Sequence, residues 1–296
     1  VLICPDLETA VTDYTILLGM DAAWRAEDDG VGTAVFAVGN TAVELMAPIG
    51  DSAAATKLRG MTKDGAVMTS LVYRSDDIAG DQHLMTRRGL APSEVIETVS
   101  TDIETGADRA WRRFRIPDDK MAGTKTFILQ PDAPLAAPVM PRSATSLDHL
   151  VINTPNPERA VATYGARLGL RFALDRTAEQ WKTRFLFFRL GGLTLEVIHR
   201  LGEIHDASAN DPTWGLTWET DDLAATPTRL YAAGLDVSEI RTGRKPESQV
   251  LTVRTATRAG ATLCTPQPPG ESGKTKAITQ LASTAHPTIT QGTTTG

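Results

Sequence analysis

Between residues 148 and 200 the apolar positions change period in a fixed order. Asp148-His149-Leu150-Val151-Ile152-Asn153 is a short, apolar, β-branched run and reads as a strand. Thr154-Pro155-Asn156-Pro157 ends it and opens a helix with proline early, where the missing N–H leaves no intrahelical bond unmade. Ala160, Val161, Tyr164 and Leu168 then recur at helical spacing, and Gly169 follows as a helix-ending glycine. Three strand-like runs come next, from Arg171 to Arg176, Arg184 to Leu190 and Leu193 to His199, the last two separated by the Gly191-Gly192 turn. The predicted order is βαβββ.

The same order is predicted at the front of the chain, as a strand over Val1 to Cys4, a helix over Leu7 to Leu18, and strands over 22–26, 33–38 and 41–46. The residues repeat as well as the pattern. Glu8, Ala10, Val11, Tyr14, Leu18 and Gly19 match Glu158, Ala160, Val161, Tyr164, Leu168 and Gly169, each 150 positions on, and Gly39 and Glu44 match Gly191 and Glu196 at 152. Asp76-Asp77-Ile78 and Gly89-Leu90 match Asp221-Asp222-Leu223 and Gly234-Leu235 at 145. Four modules follow, the first like the third and the second like the fourth, which points to a copied folding unit rather than a solenoid of short repeats. The second module is read as strands around 68–73, 94–99, 110–116 and 126–129 with a helix ending near Gly89. The fourth is read as strands over 214–219, 237–241, 250–254 and 262–265 with a helix from Leu223 to Ala233.

Composition turns proline-rich between Gln130 and Ala144, so residues 1–135 are read as a first domain, 136–146 as a linker and 147–267 as a second domain. Residues 268–296, rich in Thr, Gly, Ser and Pro, read as a disordered tail, and GESGKT within them lacks the spacing of a phosphate loop. The partner of His149 would precede Val1, so either the first module lacks the front of its first strand or the natural start lies before Val1. A hydrophobic content of 41% with 22% charged residues is that of a globular protein. With a net charge of −6 and scattered basic residues, neither nucleic acid nor a membrane surface is expected as partner. No apolar run approaches a bilayer span, and the expected compartment is the cytoplasm. Two cysteines, Cys4 and Cys264, exclude a disulfide framework.

DHLVIxTxNPERAxxxYxxxLGL, followed by GGLTLEV, resembles the vicinal oxygen chelate superfamily, which groups glyoxalases, bleomycin-resistance proteins, methylmalonyl-CoA epimerases and extradiol dioxygenases. The resemblance runs to about residue 267. It implies an α+β fold in which βαβββ modules pair into two half-open barrels, each around a ligand cavity. It also implies a divalent metal held by one side chain from the first and one from the last strand of each paired module. Carried onto the third and fourth modules, those positions are His149, Glu196, Gly215 and Cys264. Glycine cannot ligate through a side chain, which leaves His149, Glu196 and Cys264 for Zn, Fe, Mn or Ni. In the first half Glu44 remains, the other positions fall on Ser70 and Phe127, and a structural or substrate-covering role is expected.

The implied activity is that of a glyoxalase-like enzyme acting on a small oxygenated organic molecule by metal-assisted lyase or isomerase chemistry, with Glu196 as the catalytic acid/base. The alternative is a metal-free small-molecule binding or sequestering protein. An extradiol dioxygenase would need a second histidine where Gly215 stands, and is placed third. Trp214, Glu219 and Arg254 are the candidates for substrate contact, with Trp218 and Tyr73 backing the pocket. For each candidate an ordinary role competes: His149 as a strand histidine bonded to backbone, Glu196 as an inherited structural residue, Cys264 as a small buried hydrophobe, the aromatics as core, and Glu219 and Arg254 as surface ion-pair partners. His199, on the strand face opposite Glu196, is expected to be solvated. With four modules in one chain, a monomer or a homodimer satisfies the fold.

Overall fold

A computed structural model describes residues 1–136, 143–243, 248–254, 261–264 and 278–281, with side chains described for all of these except 254, 261–264 and 278–281. The first module comprises β1 (Leu2–Ile3), α1 (Leu7–Leu18), β2 (Trp24–Asp28), β3 (Val31–Val38) and β4 (Thr41–Pro48), followed by a helix, α2 (Ala53–Met61). The second comprises β5 (Val67–Met68), β6 (Ser70–Arg74), α3 (Ile78–Arg87), β7 (Ile96–Thr101), β8 (Asp108–Ile116) and β9 (Lys125–Pro131). In the third, β10 (Ala144–Asn153) precedes α4 (Pro157–Ala160), which continues as π-helical turns over Val161–Arg167, and then β11 (Arg171–Ala178), β12 (Thr183–Leu190) and β13 (Leu193–Arg200). The fourth comprises β14 (Thr213–Thr220), α5 (Thr226–Ala232), β15 (Asp236–Val237), β16 (Arg241–Thr242), β17 (Gln249–Arg254) and β18 (Ala261–Cys264).

Hydrogen bonding gives each module the same internal layout. Its first strand runs parallel to its last, as β1 with β4, β6 with β9, β10 with β13 and β14 with β18. Modules join through antiparallel pairing of their first strands, β10 against β14 and β1 against β5. The first half is thus a five-stranded sheet, β2-β3-β4-β1-β5, and a four-stranded one, β6-β9-β8-β7, while the second half forms a continuous larger sheet. The sheets are open and do not close into barrels.

Local chemistry explains the helix ends. Asp6 and Asn156 occupy equivalent N-caps and accept from the amides of Thr9 at 2.8 Å and Arg159 at 2.9 Å. Gly19 and Gly169 end the two helices with φ of 72° and 90°, a region that side chains with a Cβ rarely enter. Two elements were not expected. Ser52 caps α2 by accepting from Ala55, and Leu58 packs there with Ile3 and Val31. Within the segment read as a tail, Ile278–Leu281 forms a further strand, β19, paired with β14 and β18, so those four residues are ordered into the sheet rather than left as coil. Four residues, Ile278-Thr279-Gln280-Leu281, are too few to show a period against the surrounding composition.

Residues of all four modules share one apolar core. The two helix tyrosines anchor it in the same way, Tyr14 against Phe36 and Tyr164 against Phe188, each with ring centroids 5.9 Å apart. Polar contacts stitch the halves together. Asn40 bonds both the carbonyl and the amide of Leu147 at 2.9 Å, and Arg229 of α5 donates to the Leu17 carbonyl at 3.1 Å. Asp211 donates its amide to the Ala122 carbonyl, and its buried carboxylate takes Thr154 at 2.7 Å and Arg159 at 2.6 Å. Among the described residues no helix is long and apolar enough to cross a bilayer.

Candidate functional site

Strand alternation divides the second half into two faces. Leu150, Ile152, Leu195, Val197, Leu216 and Trp218 point into the common core. His149, Val151, Thr194, Glu196, Gly215 and Thr217 fall on the opposite face. Side-chain burial and contacts agree with this. Val151, Phe185 and Ile198 form a separate apolar cluster that Phe187 and Trp214 cover. Trp214 therefore lies with the candidate site, whereas Trp218 is fully buried in the core and Tyr73 is a core residue.

His149 is the hub. A register shift in β10 between Leu147 and His149 turns Asp148 inward, and its carboxylate lies 2.9 Å from Nδ1 of the ring. The other nitrogen, Nε2, lies 2.7 Å from the Thr217 hydroxyl and 3.4 Å from Oε2 of Glu196. Side-chain exposure is 21% for His149, 13% for Glu196 and 7% for Asp148, so the group is screened from bulk water without being sealed. A carboxylate at Nδ1 selects the tautomer with its proton there and leaves the Nε2 lone pair for the Thr217 hydroxyl, a proton or a cation.

The spacing bears on a metal. Two ligands about 2.1 Å from a tetrahedral ion stand about 3.4 Å apart, the separation of His149 Nε2 and Glu196 Oε2. A histidine whose far nitrogen is held by a carboxylate is also the usual supporting arrangement of a metal ligand. Among the described residues no three of His, Cys, Asp and Glu gather into a metal-holding group. The Cys264 side chain lies outside the described residues, and by backbone register it is Leu263, not Cys264, that pairs with Thr217. Counting along the repeat puts Gly215 in the ligand position, but the antiparallel register sets Gly215 against Val151 and Thr217 against His149.

The remaining candidates fall as follows. Glu219 is buried at the register position of Ser146, whose hydroxyl bonds its carboxylate. Arg254 has its side chain outside the described residues. His199 is not simply solvated, since its Nδ1 lies 3.0 Å from the Thr154 carbonyl and its ring stands 5.2 Å from that of His205. In the first half, burial lowers the pKa of the Arg109 guanidinium and the charge of Glu44 opposes that shift. Ser70 is buried, and Phe127 lies under the Arg113 guanidinium at 5.4 Å. Sequence reasoning missed Asp148 and Thr217. The Asp-His dipeptide was the available signal for the first, and the two-residue period from Gly215 along β14 the signal for the second.

Paired βαβββ modules, with a histidine on a first strand facing a glutamate on a last strand, define a vicinal oxygen chelate fold. Family comparison agrees. A profile of the glyoxalase-like domain matches residues 1–169, and one of the glyoxalase, bleomycin resistance protein and dioxygenase superfamily matches residues 148–251. The chain belongs to the glyoxalase-like family of the vicinal oxygen chelate superfamily. No curated protein matches it. Among solved structures, a mutant 4-hydroxymandelate synthase from Streptomyces coelicolor superposes with a TM-score of 0.59 at 13% identity, over 86% of this chain and 87% of that one. At that identity the likeness shows the fold alone. Methylmalonyl-CoA epimerase from Mycobacterium tuberculosis (TM-score 0.32, 18% identity, 39% of this chain and 83% of that one) and a glyoxalase I mutant from Zea mays (0.35, 13%, 87% and 89%) also match, at scores that carry no argument here.

Proposed function

We propose that the second half is the active half of an enzyme that moves a proton on a small oxygenated organic molecule, by isomerase or lyase chemistry. The observation that carries this reading is the approach of Glu196 to His149 Nε2 while Asp148 holds Nδ1. Glu196 takes the proton as a C–H bond next to a carbonyl breaks, and the electron pair moves onto the carbonyl oxygen as an enolate. While Glu196 holds it, that proton exchanges with solvent, and the carboxyl group then returns a proton to carbon as the new C–H bond forms, so no proton is gained or lost overall. His149, oriented by Asp148 and Thr217, presents Nε2 to the Glu196 carboxylate and fixes where that carboxylate points. Trp214 and the Val151–Phe185–Ile198 cluster offer an apolar wall that limits water at the reacting carbon. His149 and Glu196 would hold a divalent ion, which when bound would polarise vicinal oxygens of the ligand.

The experiment is deuterium incorporation in D2O, followed by proton NMR, over a panel of small 2-oxo and 2-hydroxy carbonyl compounds and thioesters. Wild-type protein is expected to exchange the hydrogen next to the carbonyl in at least one of them, and Glu196→Gln to slow exchange by about 10²–10⁴-fold. Exchange that is absent throughout the panel, or equally fast in Glu196→Gln, would overturn the reading in favour of a binding protein. Metal content of wild type and His149→Ala, measured by elemental analysis after equilibration with Zn, Mn, Ni or Fe, decides whether an ion takes part.

A further inference from the structure

One row of residues crosses the candidate face of the large sheet at a single level. Backbone register aligns Arg171 with Arg189, Arg189 with Thr194, Thr194 with His149, and His149 with Thr217. The polar end of this row is unusual. Arg171 and Arg189 are directly opposed on β11 and β12, where like charges repel, and neither meets a carboxylate among the described residues. Among the described residues the Arg189 guanidinium donates only to the Thr194 hydroxyl, at 2.6 Å. Arg184, on the same hairpin, shows the contrasting case, with Asp175 at 2.9 Å and Glu158 at 2.6 Å both occupied.

The two guanidiniums, neither paired with a carboxylate among the described residues, line an open surface depression of about 300 Å³ together with Leu190, Gly191, Gly192 and Leu193. The hairpin tip there carries no side chains, because both of its residues are glycine (Gly191 and Gly192, at φ 50° and 86°), and a Cβ added at Gly191 would meet nothing within 4 Å. Backbone at the tip is thereby left open to a ligand beside two forked, permanently charged donors. Opposed arginines without a counter-charge, converging on one concavity, are the chemistry that grips an oxyanion in bidentate fashion.

We infer that Arg171 and Arg189 form an oxyanion-binding site that takes a phosphate or carboxylate group. The site stands on its own geometry. Only its assignment as the holder of the substrate's anionic end rests on the proposed function above. Strands are spaced about 4.8 Å apart, so the two steps from β12 to β10 put Arg189 about 10 Å from His149 along the row. The substrate class this selects is a small oxygenated molecule whose reacting carbon is several bonds removed from a phosphate or carboxylate.

Titration with inorganic phosphate, and separately with acetate, followed by calorimetry on the full chain, tests this. Saturable phosphate or acetate binding is expected in the wild type, weakened at least about ten-fold in Arg171→Ala and in Arg189→Ala, and only partly restored in Arg189→Lys because lysine lacks the fork. Binding should persist in His149→Ala and Glu196→Gln, which separates this site from the proton-transfer pair: intact anion binding without deuterium exchange would sink the proposed function alone. Whichever anion binds more tightly identifies the group. No saturable binding of either anion, or binding unchanged in both arginine-to-alanine variants, would overturn the inference.

Discussion

The Thr217 hydroxyl lies 2.7 Å from Nε2 of His149, across the antiparallel seam between the first strands of the third and fourth modules. Thr217 is fully buried, so this bond and the Glu196 approach from the neighbouring strand hold the imidazole in one orientation. Valine has the same shape without the hydroxyl. Thr217→Val is expected to cost about 1–2 kcal/mol, read by urea unfolding, and to shift the His149 Nε2 signal in a ¹⁵N-histidine spectrum. An unchanged signal would mean that the hydroxyl does not reach the ring.

The duplicated tyrosine–phenylalanine contacts make a paired prediction. Phe36 and Phe188 are both fully buried against helix tyrosines in a common core. Phe36→Ala and Phe188→Ala should each destabilise by about 3–5 kcal/mol, with one unfolding transition in each variant because the core is continuous across the modules. Two separated transitions in chemical denaturation would show that the halves unfold independently.

Asp211 gives a pH dependence with a definite sign. Burial raises its pKa above the ordinary carboxylate value, against the opposing hydrogen bonds from Thr154 and Arg159. An acid whose folded pKa lies above its unfolded one stabilises the fold below the unfolded value, near about 3.9, and that contribution is lost as pH rises through the folded value. Asp211→Asn does not titrate there. Wild type should therefore lose stability relative to Asp211→Asn as pH rises from about 4 to neutrality, measured by urea unfolding across that range. A gain over the same range would show that the Arg159 pair dominates instead.

Cys4 is buried in the core, and desolvation, reinforced by the charge of Asp13, pushes its thiol up to about 12. At pH 8 the folded protein should leave Cys4 unmodified by iodoacetamide, while the urea-unfolded chain is alkylated there. Peptide mass spectrometry distinguishes Cys4 from Cys264. Rapid labelling of Cys4 in the folded state would mean that β1 opens readily.

Element type and order were legible because periodicity and capping are local. The Asp6 and Asn156 caps, the Gly19 and Gly169 stops and the apolar faces of Tyr14 and Tyr164 are all written within a few residues of where they act. His149 and Glu196 were legible through the same motif, since one begins the first strand's apolar run and the other sits within the last strand. Helix α2 was not, because Ala-Ala-Ala-Thr-Lys-Leu-Arg carries too few apolar residues to show a stripe, and tertiary contact of Leu58 with Ile3 and Val31 supplies what propensity does not.

Sequence alone determined that this chain would build βαβββ units and which of its halves retains a histidine opposite a glutamate, because hydrophobic period and residue identity are properties of short stretches. Which side chain completes the site was decided only in three dimensions. A strand's side-chain period is two, so counting across an unaligned repeat cannot choose between Gly215 and Thr217, and the bulge that turns Asp148 towards Nδ1 of His149 is set by pairing with Trp218 and Thr217 of β14, 71 and 68 positions beyond Leu147 and His149. The opposition of Arg171 and Arg189 is likewise a product of hairpin register, invisible until the strands are laid side by side.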